Sequence, residues 1–150
     1  LINKYQRISH RFPARLRIRG GGAFPFVRGT ARGRTPADRL DLQPGEMVQV
    51  KSREEILATL DENQKNRGLW FDREMLKYCG RRARVLRRVN RIIDERSGRM
   101  RVIRSDCIVL EGFVCDGLMD NLCPRAIYSY WREIWLRRIT PAATETEGEV

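Results

Sequence analysis

Residues 84–110 read RVLRRVNRIIDERSGRMRVIRSDCIVL, and the pattern in this stretch decides the fold. Val85, Leu86, Val89, Ile92 and Ile93 fit a helical stripe, yet the β-branched residues and the turn that follows favour a strand. Asp94, Glu95, Arg96, Ser97 and Gly98 form a hairpin loop, with Gly98 where the chain needs positive φ. The chain then returns through Met100, Val102, Ile103, Cys107, Ile108, Val109 and Leu110 as the antiparallel partner.

On the N-terminal side, Gln43, Pro44 and Gly45 make a turn, and Met47, Val48, Gln49 and Val50 follow as a further strand. Ser52 with Glu55 three residues on is a capping box, opening a helix that buries Ile56, Leu57 and Leu60. Leu69, Trp70 and Phe71 are too apolar for a fully solvated loop. A short second helix starts at Asp72 as N-cap and stops at Gly80, with Met75, Leu76 and Tyr78 inward. On the C-terminal side, residues 127–138 place Ile127, Trp131, Ile134, Trp135 and Arg138 at helical intervals, which predicts a terminal helix with an aromatic buried face.

The expected fold class is therefore α+β. Its centre is a small curled antiparallel sheet, with an SH3-like barrel as one possible form, two short helices, a C-terminal helix and a zinc staple. Residues 1–40 are expected to be a basic, largely irregular arm, 41–140 a single domain and 141–150 an acidic disordered tail.

Charge is unevenly spread over the 150 residues, whose net is +11. Residues 1–37 hold nine basic groups and no acid, for +9; residues 38–140 contribute +5, and the tail −3. An acid-free arm suits a polyanion, because each phosphate it neutralises releases a counterion. Only four of the 30 basic residues are Lys. The Arg excess suits RNA, since guanidinium forks onto phosphate and stacks on bases. No apolar run approaches a membrane span, and no apolar leader is visible at the N-terminus, so a cytoplasmic location is expected, with an organellar matrix as the alternative.

Cys79, Cys107, Cys115 and Cys123 are separated by 28, 8 and 8 residues. In a chain that does not look secreted, four thiols point to a structural Zn²⁺ held by all four, although buried thiols, disulfides or an iron–sulfur cluster stay open. His10, the only histidine, is the alternative to Cys107 as a ligand.

A single His remote from other candidates, with no nucleophile elbow and no phosphate loop after Gly20, Gly21 and Gly22, argues against an enzyme and a small-molecule substrate. The better surface runs from Arg81 to Arg104, where ten Arg face two acids. The expected nucleic-acid-binding residues are Arg11, Arg15, Arg17, Arg19, Arg28, Arg32 and Arg34 of the arm with Arg84, Arg87, Arg88, Arg91, Arg99 and Arg101 of the strands.

Several segments between Pro44 and Leu136 resemble a family of small bacterial proteins of uncharacterised activity. They are Pro44-Gly45-Glu46, Glu55-Ile56, Thr59-Leu60-Asp61, Gly68-Leu69, Phe71-Asp72, Tyr78-Cys79-Gly80, Cys123-Pro124-Arg125 and Trp131-Arg132-Glu133-Ile134-Trp135-Leu136. With no activity assigned, the resemblance implies four cysteines and a Trp-rich C-terminus but no mechanism. The expected function is a basic, non-enzymatic nucleic-acid-binding or ribonucleoprotein component with RNA as the favoured partner. The alternative is a protein-interaction or assembly subunit, anchored by Trp131 and Trp135 or by the Trp70-Phe71 loop.

Overall fold

A computed structural model of the chain describes residues 2–13, 16–22, 25–94, 96–103, 106–117 and 124–139. Strands β1 (Met47–Val50), β4 (Arg82–Arg88), β7 (Ile108–Val114), β8 (Tyr128–Trp131) and β9 (Leu136–Arg138) form one antiparallel sheet in the order β8-β7-β4-β1-β9, curled into a half-barrel. Two ribbons accompany it: β2 (Lys65–Asn66) with β3 (Leu69–Trp70), and β5 (Arg91–Ile93) with β6 (Met100–Val102). Helix α1 covers Ile2–Ser9 and α2 covers Arg53–Leu57. The α+β reading holds, and no helix among the described residues is long and apolar enough to cross a membrane.

Local signals form the elements they announce. Ser52 Oγ accepts from the Glu55 N–H at 3.3 Å and Glu55 Oε2 accepts from the Ser52 N–H at 2.9 Å, so the capping box closes on α2. The segment after Asp72 is a 3₁₀ helix, Arg73–Tyr78. In the β5–β6 hairpin Gly98 sits at φ 65°, and its N–H donates to the Asp94 carbonyl at 2.7 Å.

The C-terminal segment corrects the helix expected over residues 127–138. It is strand β8, a single 3₁₀ turn (Glu133–Trp135) and strand β9. Trp131, Ile134 and Trp135 are buried as the spacing required, but the turn between two strands buries all of residues 131–136. Helical spacing cannot distinguish that arrangement from one continuous helix. Pairing of β8 with β7 and of β9 with β1, on a segment rich in Tyr, Trp and Ile, decides it.

Val48, Val50, Ala83, Val85, Ile108 and Leu110 line the inner face of the sheet and meet Ile56, Leu60, Phe71, Met75, Trp131 and Trp135. Phe71 lies edge-on to Trp135 at 5.2 Å and to Trp131 at 6.1 Å, while Tyr78 stacks on Phe113 at 4.1 Å. Such pairs each add about 0.5–1.5 kcal/mol beyond their buried area.

The segment before the first strand is more ordered than its composition suggests. Val27, Thr35 and Leu42 are buried. The N–H groups of Gly29, Thr30 and Ala31 donate to the carbonyls of Asp61, Leu57 and Leu60 at 3.1, 3.0 and 2.9 Å. Residues 26–42 thus form a strap along the domain, held by backbone bonds that residue type does not reveal. Residues 141–150, expected to be a disordered tail, lie outside the described residues.

Candidate nucleic-acid interface

Alternation along β4 sorts its arginines between two faces. Ala83 and Val85 point into the core, so Arg82 and Arg84 project from the opposite, outer face. Arg82 lies opposite Gln49 of β1, and Gln49 lies opposite Arg137 of β9. Cross-strand partners share a face, so Arg82, Gln49 and Arg137 form a row across three strands.

A β-bulge then shifts the alternation. Val85 pairs with Leu110 and Arg87 with Val109, two residues on β4 against one on β7, which leaves Leu86 and Arg87 both exposed. Beyond the bulge Arg88 turns inward, with its side chain only 20% exposed. It pairs with Glu133, contacts Asp106 Oδ1 at 2.9 Å and donates to the Leu42 carbonyl at 3.3 Å. Arg88, expected on the cationic face, belongs to the interior because the bulge rotates it there.

The outer arginines differ in their partners. Arg84 is 3.8 Å from Glu111 and Arg137 is 2.7 Å from Glu55, both as exposed pairs of small energetic weight. Arg82 and Arg87 have no ion pair among the described residues. On the β5–β6 ribbon, Arg91 and Arg99 are exposed without an ion pair among the described residues, whereas Arg101 is held by Asp94. Arg11, Arg28, Arg32 and Arg34 of the arm are exposed. Arg32 lines an open polar cavity of about 580 Å³ with Asp61 and Glu62, and Arg17 Nε donates to the Phe12 carbonyl at 2.8 Å. Arg15 and the side chain of Arg19 lie outside the described residues.

Of the arginines on this outer face, Arg84 and Arg87 are among those named from the sequence, Arg82 lies within the Arg81–Arg104 stretch without being singled out, and Arg137 falls outside it. Arg82 is one alternation before Arg84 and was legible. Arg137 was hidden by the helical reading of its segment.

The three described cysteines, Cys79, Cys107 and Cys115, form no group of metal ligands. Cys107 is buried in a small cluster with Val89 and Val109, and burial pushes its thiol up to about 11, against the opposing pull of Arg132 and Arg88. Cys115 follows the other end of β7, where its Sγ accepts the Ile127 N–H at 3.2 Å. A seven-residue strand is on the order of 20 Å long. Sulfurs sharing one zinc sit within about 4 Å of each other. Cys107 and Cys115 therefore do not share an ion in this fold. Cys79 packs against the main core, and burial raises its thiol pKa, with Glu54 adding to the effect. Cys123 lies outside the described residues, and His10 is exposed just after α1. Among the described residues, no three His, Cys, Asp or Glu side chains are grouped to hold a metal ion.

No family model, curated protein or solved structure matches this chain. Its function must be read from its own geometry. The outer face offers guanidinium groups at strand spacing, of which Arg84 and Arg137 are paired with Glu111 and Glu55.

Proposed function

We propose that the chain is a non-catalytic nucleic-acid-binding protein, with RNA the favoured partner, which holds the phosphate backbone on the outer face of its half-barrel. One observation carries this reading: Arg82 and Arg87 project from the central strand of the sheet without an ion pair among the described residues. Arg84, Arg137 and the ribbon's Arg91 and Arg99 extend the same positive field, and the acid-free arm adds to it. Guanidinium is weakly hydrated and forks onto phosphate, so Arg82 and Arg87 gain from a polyanion the charge pairing that no described residue gives them.

Fluorescence anisotropy with a labelled single-stranded RNA, measured across a salt series, tests this. The logarithm of the affinity falls linearly with the logarithm of salt. In Arg82→Gln/Arg87→Gln the slope drops by roughly 1.4, the value for two lost phosphate contacts on a single strand. An affinity indifferent to salt, or unchanged in the double variant, removes the reading.

A second observation favours the assembly-subunit reading. Ile93, Met100 and Val102 share one face of the β5–β6 ribbon and are each more than half exposed. A protein partner retained after nuclease treatment and lost in Met100→Ser would support it.

A further inference from the structure

Strand β8 is the edge of the sheet, pairing with β7 on one side only. Along it lies a groove of about 260 Å³ lined by Leu69, Trp70, Met75, Cys115, Tyr128 and Tyr130, with Asp72, Ile127 and Ser129 completing the wall. Trp70 is 45% exposed and Tyr128 41%, whereas Trp131 and Trp135 are wholly buried. Lys65, directly opposite Trp70 in the β2–β3 ribbon, places Nζ 5.3 Å from the Trp70 ring centroid.

Tyr130 joins this groove to the cationic face. It lines the groove and also packs against the outer cluster of Val89, Cys107 and Val109. Val109 is the cross-strand partner of Arg87. A ligand seated on the aromatic rings is thus one strand away from the guanidinium row.

We infer that this groove takes an unpaired base of a single-stranded nucleic acid whose phosphates continue onto Arg87. The inference rests on the nucleic-acid reading above and specifies the class of nucleic acid. Exposed aromatic rings beside a basic face stack bases of any sequence, because every base has a π-face. A duplex keeps its bases stacked within the helix and cannot offer one without unpairing. The volume is below the roughly 300–1,000 Å³ of pockets for larger ligands, which suits one base.

The test compares a 12-nucleotide RNA with a duplex of the same sequence, using anisotropy and intrinsic fluorescence. Trp70 is the one exposed tryptophan of three, so quenching on binding reports on the groove. The expected result is tighter binding of the single strand, with quenching. Trp70→Ala abolishes the quench and weakens single-strand affinity about tenfold with an unchanged salt slope, while Trp70→Phe retains most of the affinity. If Trp70→Ala binds the single strand as wild type does while Arg82→Gln/Arg87→Gln loses affinity, the groove inference fails and the nucleic-acid reading stands. Equal effects of Trp70→Ala on duplex and single strand also overturn the groove. If neither RNA binds at low salt, both fail.

Discussion

Glu133 and Arg88 form an ion pair on the inner side of the sheet, with the carboxylate wholly buried and the guanidinium mostly so. The carboxylate also accepts the N–H groups of Leu40, Asp41 and Leu42 at 2.6, 3.0 and 3.1 Å. One acid therefore ties the end of the strap to the turn between β8 and β9 and to the far end of β4. Arg88 reaches it only because the bulge at Leu86 and Arg87 reverses the alternation.

Removing one partner of a buried pair costs about 3–5 kcal/mol, because the other charge stays buried. Glu133→Gln is expected near the lower end, about 3 kcal/mol, since Arg88 keeps Asp106. Arg88→Met is expected to cost less, as Glu133 retains three backbone donors. Urea unfolding of both variants checks this, and a Glu133→Gln stability within about 0.5 kcal/mol of wild type would contradict it.

The same carboxylate predicts a response to acid. Burial works against its charge, but the Leu42 N–H, the Arg88 guanidinium and the N–H groups of Leu40 and Asp41 outweigh burial and hold its pKa below the ordinary value. An unfolded Glu titrates near about 4.3, above the folded value, so the unfolded chain takes up the proton first. The contribution is complete above that pH and is lost as pH falls through the folded pKa. Wild-type stability should drop more steeply below about pH 4.3 than that of Glu133→Gln. Parallel curves in that range would rule out Glu133 as the cause.

Features encoded within a few residues were legible in the sequence: the Ser52–Glu55 cap, the Asp94–Gly98 turn and the alternation that aims Arg84 outward. Features that depend on distant partners were not. The bulge at Arg87 exists only against Val109 and Leu110. Glu133 finds its backbone donors more than 90 residues away, so no local pattern announces it. Trp131, Ile134 and Trp135 carry a helical spacing that a turn between strands satisfies equally, and this error concealed Arg137. The cysteine spacing gave no sign that Cys107 and Cys115 flank one long strand.

Cys107 is expected to behave as a core residue. With its thiol pushed up to about 11, the thiolate is scarce at pH 8. Alkylation in the native protein should be roughly a hundredfold slower than for an ordinary thiol, and should become normal in urea. Cys107→Val, which keeps the volume, is expected to cost less than about 1.5 kcal/mol and to leave the metal content of the purified protein unchanged. Peptide mapping after timed alkylation checks the first outcome and elemental analysis the second. Rapid native labelling would show an accessible, ionised thiol rather than a core residue, and metal lost in Cys107→Val would return Cys107 to a ligand role.

Gly29 tests the strap. A Cβ there would lie 2.0 Å from the Leu60 carbonyl oxygen and 2.4 Å from that of Asp61, both backbone atoms that no rotamer change can move. Gly29→Ala must lift the strap and break the bonds from Gly29, Thr30 and Ala31, each worth about 1 kcal/mol net. Gly33 is the control: its φ is +74° but nothing lies within 4 Å of its Cβ position, so alanine there meets only the left-handed penalty of about 1 kcal/mol. The expected order in urea unfolding is wild type, then Gly33→Ala, then Gly29→Ala lower by a further 1–2 kcal/mol or about that. Gly29 itself is not left-handed, so equal losses at the two sites would mean that the strap yields to the added Cβ without losing its bonds to the Leu60–Asp61 backbone.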